Sequence, residues 1–160
     1  MTPTRGELVE QLIEAQNRID AVARGIEVTI LESEPAVGDW PPKLIICHLA
    51  DWIEEMLLAG GTTLAGGTVE RHPITEFDLF NHQHVEEHHN DSWFDTSARL
   101  HRHVEEAAGM LADLDDEKMA TSLILPWGGN GTVTDVFEGL VDHHQEHAGH
   151  LETWKAVRAS

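Results

Sequence analysis

What most restricts the fold of this chain is the return of apolar side chains every three or four residues in four separate stretches. No stretch alternates strictly in twos for long enough to build a sheet. From Leu8 the apolar positions run through Leu12, Ala15, Ile19, Val22, Ile26 and Ile30, the 3.6-residue rhythm of an amphipathic helix. Thr4-Arg5-Gly6-Glu7 has the spacing of a capping box, so one long helix is expected from about Arg5 through Ile30. Residues 33–39, with Pro35 and Gly38, read as a loop.

Pro41 and Pro42 suit the first turn of a second helix, where a missing N–H is no loss. That helix carries Leu44, Leu49, Trp52, Ile53 and Met56, and Gly60-Gly61 is expected to stop it. Residues 60–73 then form a flexible connector. A shorter helix is expected over 75 to about 90, with Phe77, Phe80 and Val85. Ser92-x-x-Asp95 caps the next, which packs Phe94, Leu100, Val104, Ala107 and Leu111. Residues 123–132 read as a loop with at most a short extended start. Thr132-x-x-Asp135 caps a last helix that ends near Arg158. The expectation is a single all-α domain over residues 1–160: an antiparallel four-helix bundle with one extra short helix, which buries four stripes against one another.

With 41% hydrophobic residues the chain should fold rather than stay disordered. Its formal net charge is −19 with histidine neutral. Such a field repels phosphate backbones and anionic lipid, so nucleic acid and membrane are expected to be poor partners. The single cysteine, Cys47, allows no internal disulfide. The opening residues lack the order of a signal peptide and no 18-residue apolar run occurs, which points to a cytoplasmic protein. A homodimer is compatible with a bundle's outer face, but no seam is visible.

Twelve histidines remain to be explained, four of them in VDHHQEHAGHLETW. Residues three or four apart share a helix face. His143 with His147, His144 with His147, and His147 with His150 are therefore all geometrically able to share an ion. A bundle site normally takes a further ligand from a facing helix, and His48 in CHLADW is the candidate. On a helical wheel His48 falls on the shoulder of its apolar arc, beside Asp51, Glu54 and Glu55. His147 falls within the apolar arc of its helix and His143 on the shoulder. His144 lies nearer the apolar centre, so periodicity alone favours His144 with His147, unless His144 is a buried histidine held by a hydrogen bond. The pattern is not HExxH, which weakens a metalloprotease reading. Three neutral imidazoles and an open position suit Zn²⁺, Ni²⁺, Fe²⁺ or Co²⁺, with Zn²⁺ and Ni²⁺ foremost.

The residues LIICHLADW, the FN of Asp78-Leu79-Phe80-Asn81, and DHHQEHAGHLETW resemble the motifs of the DinB/YfiT-like four-helix-bundle family, closest to its ClbS/DfsB-like branch. The resemblance implies a mirrored up-and-down bundle with a divalent metal on His48, His143 and His147. It thus favours His143 over His144. It also implies hydrolysis of, or thiol transfer to, a small electrophilic molecule, in detoxification or self-protection, with a low-molecular-weight thiol as a further cofactor. A bundle that only sequesters metal or ligand is the alternative.

Around that site, Asp51 and Glu146 are candidate bases or carboxylates that orient ligand imidazoles. Asn81 and Trp127 are candidates to line the groove. Cys47 is expected to be a core thiol. His84 and His88, four apart, are a weaker second site. His101 and His103 read as surface residues, and His72 as part of a loop.

Overall fold

The computed structural model describes residues 1–67 and 73–160, so the expectation for His72 lies outside the described residues. Seven helices and one small hairpin are seen among the described residues. The first is α1, Arg5–Ala23. Its capping box is formed: Thr4 N donates to Glu7 at 2.7 Å and Glu7 N donates to the Thr4 hydroxyl at 3.2 Å. The helix does not continue to Ile30. Gly25 adopts a left-handed φ of 77°, which breaks the backbone and restarts it as α2, Val28–Ser33. Beyond the break Ile26 and Ile30 of the expected stripe are only partly buried against the core, and Leu31, outside that stripe, is the fully buried residue.

Helix α3 spans Pro42–Leu64 and runs straight through Gly60 and Gly61. A glycine costs a helix interior only about 1 kcal/mol relative to alanine, and here Met56, Ala59 and Gly60 are buried against neighbours. Chain reversal waits until Gly66, at φ 80°. Residues 60–64 of the segment expected to be a connector are thus helix. Next come α4, Phe77–Glu87, and α5, Trp93–Asp113. Ser92 caps α5 by accepting from Asp95 N at 3.1 Å. The residue that packs at its start is Trp93, whereas Phe94 is 68% exposed.

A four-residue turn of helix, α6 (Asp116–Met119), leads to β1 (Ser122–Ile124) and β2 (Asn130–Thr132). These pair antiparallel with Leu123 opposite Gly131, where a loop had been expected. The turn is closed by Leu125 N to Gly129 O and Gly128 N to Leu125 O, both at 2.9 Å. The last helix, α7 (Val133–Ala159), starts at its expected cap, with Asp135 N donating to Thr132 at 3.4 Å.

The four long helices α1, α3, α5 and α7 make a bundle in which α1 packs on α7 and α5, and α3 packs on α5 and α7. Helices α3 and α5 advance together, from Arg99 beside Cys47 to Met110 facing Gly61. Helices α1 and α7 also advance together, from Gln16 beside His144 to Ala21 beside Lys155. The α3–α7 seam is antiparallel: His48 faces His147, and Trp52 faces His143. The bundle is therefore up-down-down-up, with antiparallel seams between two parallel pairs. Leu8, Leu12, Leu49, Ile53, Leu100, Leu111, Phe137, Leu140 and Leu151 fill its centre.

Leu12 has no exposed surface, so Leu12→Ala should lower unfolding free energy by about 2–5 kcal/mol. Phe94→Ser should change it by no more than about 0.5 kcal/mol. Urea unfolding of both variants checks the assignment of core and surface.

Candidate metal centre

The antiparallel seam places one α3 histidine between two from α7. His48 Nε2 and His143 Nε2 are 2.9 Å apart. One nitrogen from each of His48, His143 and His147 lies within 4.8 Å of the others. The three rings stand nearly perpendicular to one another, with centroids 4.7–5.0 Å apart. Imidazole nitrogens on a tetrahedral ion at about 2.1 Å would stand about 3.4 Å apart, within the range seen here. This is the sole such group of three among the described residues.

Burial controls the protonation of these rings. It pulls His48 down to about 4, helped by the neighbouring His147. It pulls His143 down to about 2, with His48 and His147 adding to the effect. It brings His147 to about 4, with His150 acting in the same direction and Glu146 against it. Near neutral pH all three rings are uncharged and keep their lone pairs, the state that a metal ligand requires. Three desolvated imidazoles can share a proton only pairwise. The donor set thus fits a divalent cation of the zinc or nickel kind.

His144 turns the other way. It has no exposed surface, and its Nε2 pairs with Gln16 Oε1 on α1 at 2.8 Å. Gln16 donates onward to Asp20 at 2.9 Å, and Asp20 also meets His101 at 2.9 Å. The helical wheel placed His144 correctly in the interior, but the interior at that point is the α1 seam. His150 Nδ1 lies 3.3 Å from His147 Nδ1 and so braces that ring from the next turn.

Asp51 does not face the histidines. Its side chain is 1% exposed and bonded to the Arg99 guanidinium of α5, with Cys47 Sγ 3.8 Å away. The expectation that it orients a ligand imidazole or acts as a base is therefore corrected: a buried carboxylate needs a cation, and Arg99 supplies it. Burial, followed by the Asp51 charge, pushes the Cys47 thiol up to about 12. Cys47 is the core thiol expected. Neither Arg99 nor this ion pair was foreseen. Arg99 follows the Ser92 cap on an otherwise ordinary helix, and only its position opposite Asp51 gives it meaning.

The other expected groove residues gather over the cluster. A cavity of about 340 Å³ is lined by His48, His143 and His147 together with Trp52, Met56, Phe77, Asn81, Trp127, Gly139 and Glu146. Asn81 accepts from Trp52 Nε1 at 2.9 Å, which joins α4 to α3. Trp127 reaches in from the hairpin turn and lies over Gly139, where an added Cβ would stand 2.6 Å from its ring. Gly139 was missed. A glycine within a helix, one turn before His143, was the available signal. The other histidine pair does not form a site: His84 stacks on Phe80 at 4.1 Å and His88 pairs with Asp91 at 2.9 Å. The His103 side chain is only 13% exposed and sits between Glu54 and Glu106, so it is less of a surface residue than expected.

Residues 11–151 match the family model of the DinB superfamily. No curated protein matches the sequence. Solved structures share the fold, three of which bear on function. YfiT from Bacillus subtilis, described as a probable metal-dependent hydrolase with an unusual four-helix bundle topology, is 15% identical. It aligns over 97% of this chain and 87% of its own, with a TM-score of 0.79. The colibactin self-resistance protein ClbS, in complex with double-stranded DNA, is 12% identical over 96% of both chains, with a TM-score of 0.77. The mycothiol-dependent maleylpyruvate isomerase is 9% identical over 93% of this chain and 61% of its own, also with a TM-score of 0.77.

The ClbS complex overturns the expectation that nucleic acid is no partner. Net charge averages the whole surface, whereas contact is decided by the local patch, so −19 does not exclude DNA for such a bundle. No helix among the described residues is long and apolar enough to cross a membrane.

Each buried histidine has a folded-state pKa below its unfolded value of about 6.5. Between pH 6.5 and about 4 the unfolded chain therefore binds more protons, and stability falls as pH falls. Asp51, raised by burial, acts in the opposite sense but is one group against four. Metal-free protein should show a urea midpoint that drops steadily from pH 6.5 to pH 4. A flat midpoint across that window would contradict the burial of neutral imidazoles.

Proposed function

The chain belongs to the DinB superfamily, and on that footing we propose that it is a metal-dependent enzyme. It holds a divalent cation, zinc or nickel, on His48, His143 and His147 and turns water or a small thiol on an electrophilic small molecule. The observation that carries this reading is the convergence of three neutral histidine nitrogens within 4.8 Å at the floor of a cavity of ligand size. A cation bound there supplies Lewis acidity, which lowers the pKa of a water to about 7 or favours a thiolate.

The chain's own residues supply the surroundings. No serine, threonine or cysteine is among the described residues lining the cavity, and Cys47 is buried elsewhere as a neutral thiol. The attacking group must then come from outside the chain. Glu146, at the exposed rim beside His147, is the carboxylate placed to accept a proton from it. Asn81 is oriented by the Trp52 N–H and also hydrogen-bonds with the His48 side chain, so it ties α4 to the histidine cluster. Trp52, Phe77 and Trp127 exclude water around the reacting centre. YfiT supports the hydrolytic form of the reading and the mycothiol-dependent isomerase the thiol-transfer form. A role in detoxification or self-protection accords with ClbS. The missing protein nucleophile also keeps a sequestering bundle in view, and turnover separates the two.

Tag-free protein should bind one Zn²⁺ or Ni²⁺ per chain. His48→Ala, His143→Ala and His147→Ala should each weaken that binding at least about tenfold, a loss of about 1.4 kcal/mol or more. His144→Ala should keep the metal and lose stability. Calorimetric titration of the four variants checks this, and retention in His143→Ala with loss in His144→Ala would overturn the ligand set. Loaded protein should consume many equivalents of a reactive ester or epoxide, with or without added thiol. Consumption that stops at one equivalent would mark a sequestering protein.

A further inference from the structure

The walls of the cavity above the histidines select charge as well as shape. Trp52, Phe77 and Trp127 present aromatic surface, and Met56 adds an adaptable thioether. Trp127 is set in place by Gly139, whose missing Cβ leaves room for the indole. Trp52 is fixed from both sides, by its hydrogen bond to Asn81 at 2.9 Å and by Phe80 at a centroid distance of 4.8 Å. Trp52 and Phe77 stand with centroids 5.9 Å apart and rings tilted 57°, so the wall of the cavity there is aromatic. Glu146 is the one formally charged side chain among the described residues that line it, and no lysine or arginine is among them.

We propose that the molecule bound in this cavity is flat and apolar, aromatic or heteroaromatic, and neutral or positively charged rather than an acid, with Glu146 as the residue that discriminates. Aromatic faces attract a cation through their quadrupoles, and the Glu146 carboxylate at the rim adds a second attraction. A cation held on the histidines would draw an anionic group to the floor, so the discrimination lies at the rim, where an anionic group meets the Glu146 carboxylate and aromatic faces with no described side chain to neutralise it. The same walls disfavour a thiol cofactor that carries several carboxylates. Of the two forms of the reaction, attack by water on a neutral or cationic electrophile fits this lining better. The inference rests on the reading of this cavity as the substrate site.

Three probes of similar size test it on full-length, zinc-free protein, where no bound metal adds its own charge: benzyltrimethylammonium, benzyl alcohol and benzenesulfonate. None is a strong zinc ligand, and ligand-observed NMR reports their binding. The cation should bind about fivefold or more tighter than the alcohol, as expected for a partly desolvated cation–π contact, and the sulfonate should be weakest. Glu146→Gln should shrink the preference for the cation over the alcohol to less than about twofold, and Trp127→Ala should weaken both. Equal binding of all three, preference for the sulfonate, no binding of any probe, or an unchanged preference in Glu146→Gln would each overturn the inference. A zinc titration of the same protein separates it from the proposed function. Cation preference in a chain that fails to bind zinc would sink the metal reading alone. Tight zinc binding with sulfonate preference would sink this inference alone.

Discussion

The seam between α3 and α7 governs everything else in this protein. Because the two helices run antiparallel, a step of one turn along one is matched by a step back along the other. His48 thereby meets His147, and Trp52 meets His143. Three imidazoles from positions 48, 143 and 147 are brought to one point and stripped of water, which holds them neutral. Clustered lone pairs without a cation are a liability in acid, where each ring would take a proton if the chain opened. With a cation the same cluster becomes a source of stability, because only the folded chain gathers the three nitrogens.

The rest of the bundle holds that seam in register. On one flank, the Arg99–Asp51 ion pair ties α3 to α5, and Glu54 and His103 extend the contact outward. Removing one partner of such a buried pair costs about 3–5 kcal/mol, because the other charge is left unpaired. On the other flank, His144, Gln16, Asp20 and His101 form a hydrogen-bonded strip between α7, α1 and α5. The adjacent histidines 143 and 144 thus serve different faces of one helix, about 100° apart. His143 faces the cavity and His144 faces the core. The hairpin, too small to stabilise anything alone, delivers Trp127 over Gly139 and narrows the cavity from above.

Much of this was readable in the residues, and the failures follow a pattern. The caps at Thr4, Ser92 and Thr132 all formed as their spacing indicated, because capping is a local matter between neighbours in sequence. The helix ends set by glycine did not follow. Gly25 broke a continuous apolar rhythm, while Gly60 and Gly61 failed to break a helix, since tertiary burial outweighs a propensity of about 1 kcal/mol. The wheel could place His144 inside the fold but could not tell one inward seam from another. Asp51 looked like a partner for His48 on its own helix, three residues away, until α5 brought Arg99 to it. The hairpin at 122–132 has strands of only three residues each, too short for alternation to register. The −19 charge, a sum over the surface, was asked to exclude a partner class and could not.

The central claim is that three histidines from two helices share one divalent ion. X-ray absorption at the zinc edge of the loaded protein measures that shell directly. The account predicts three imidazole nitrogens at about 2.0–2.1 Å together with an oxygen donor in the remaining position, and one imidazole fewer in His143→Ala. An oxygen-only shell, or three imidazoles that persist in His143→Ala, would contradict it.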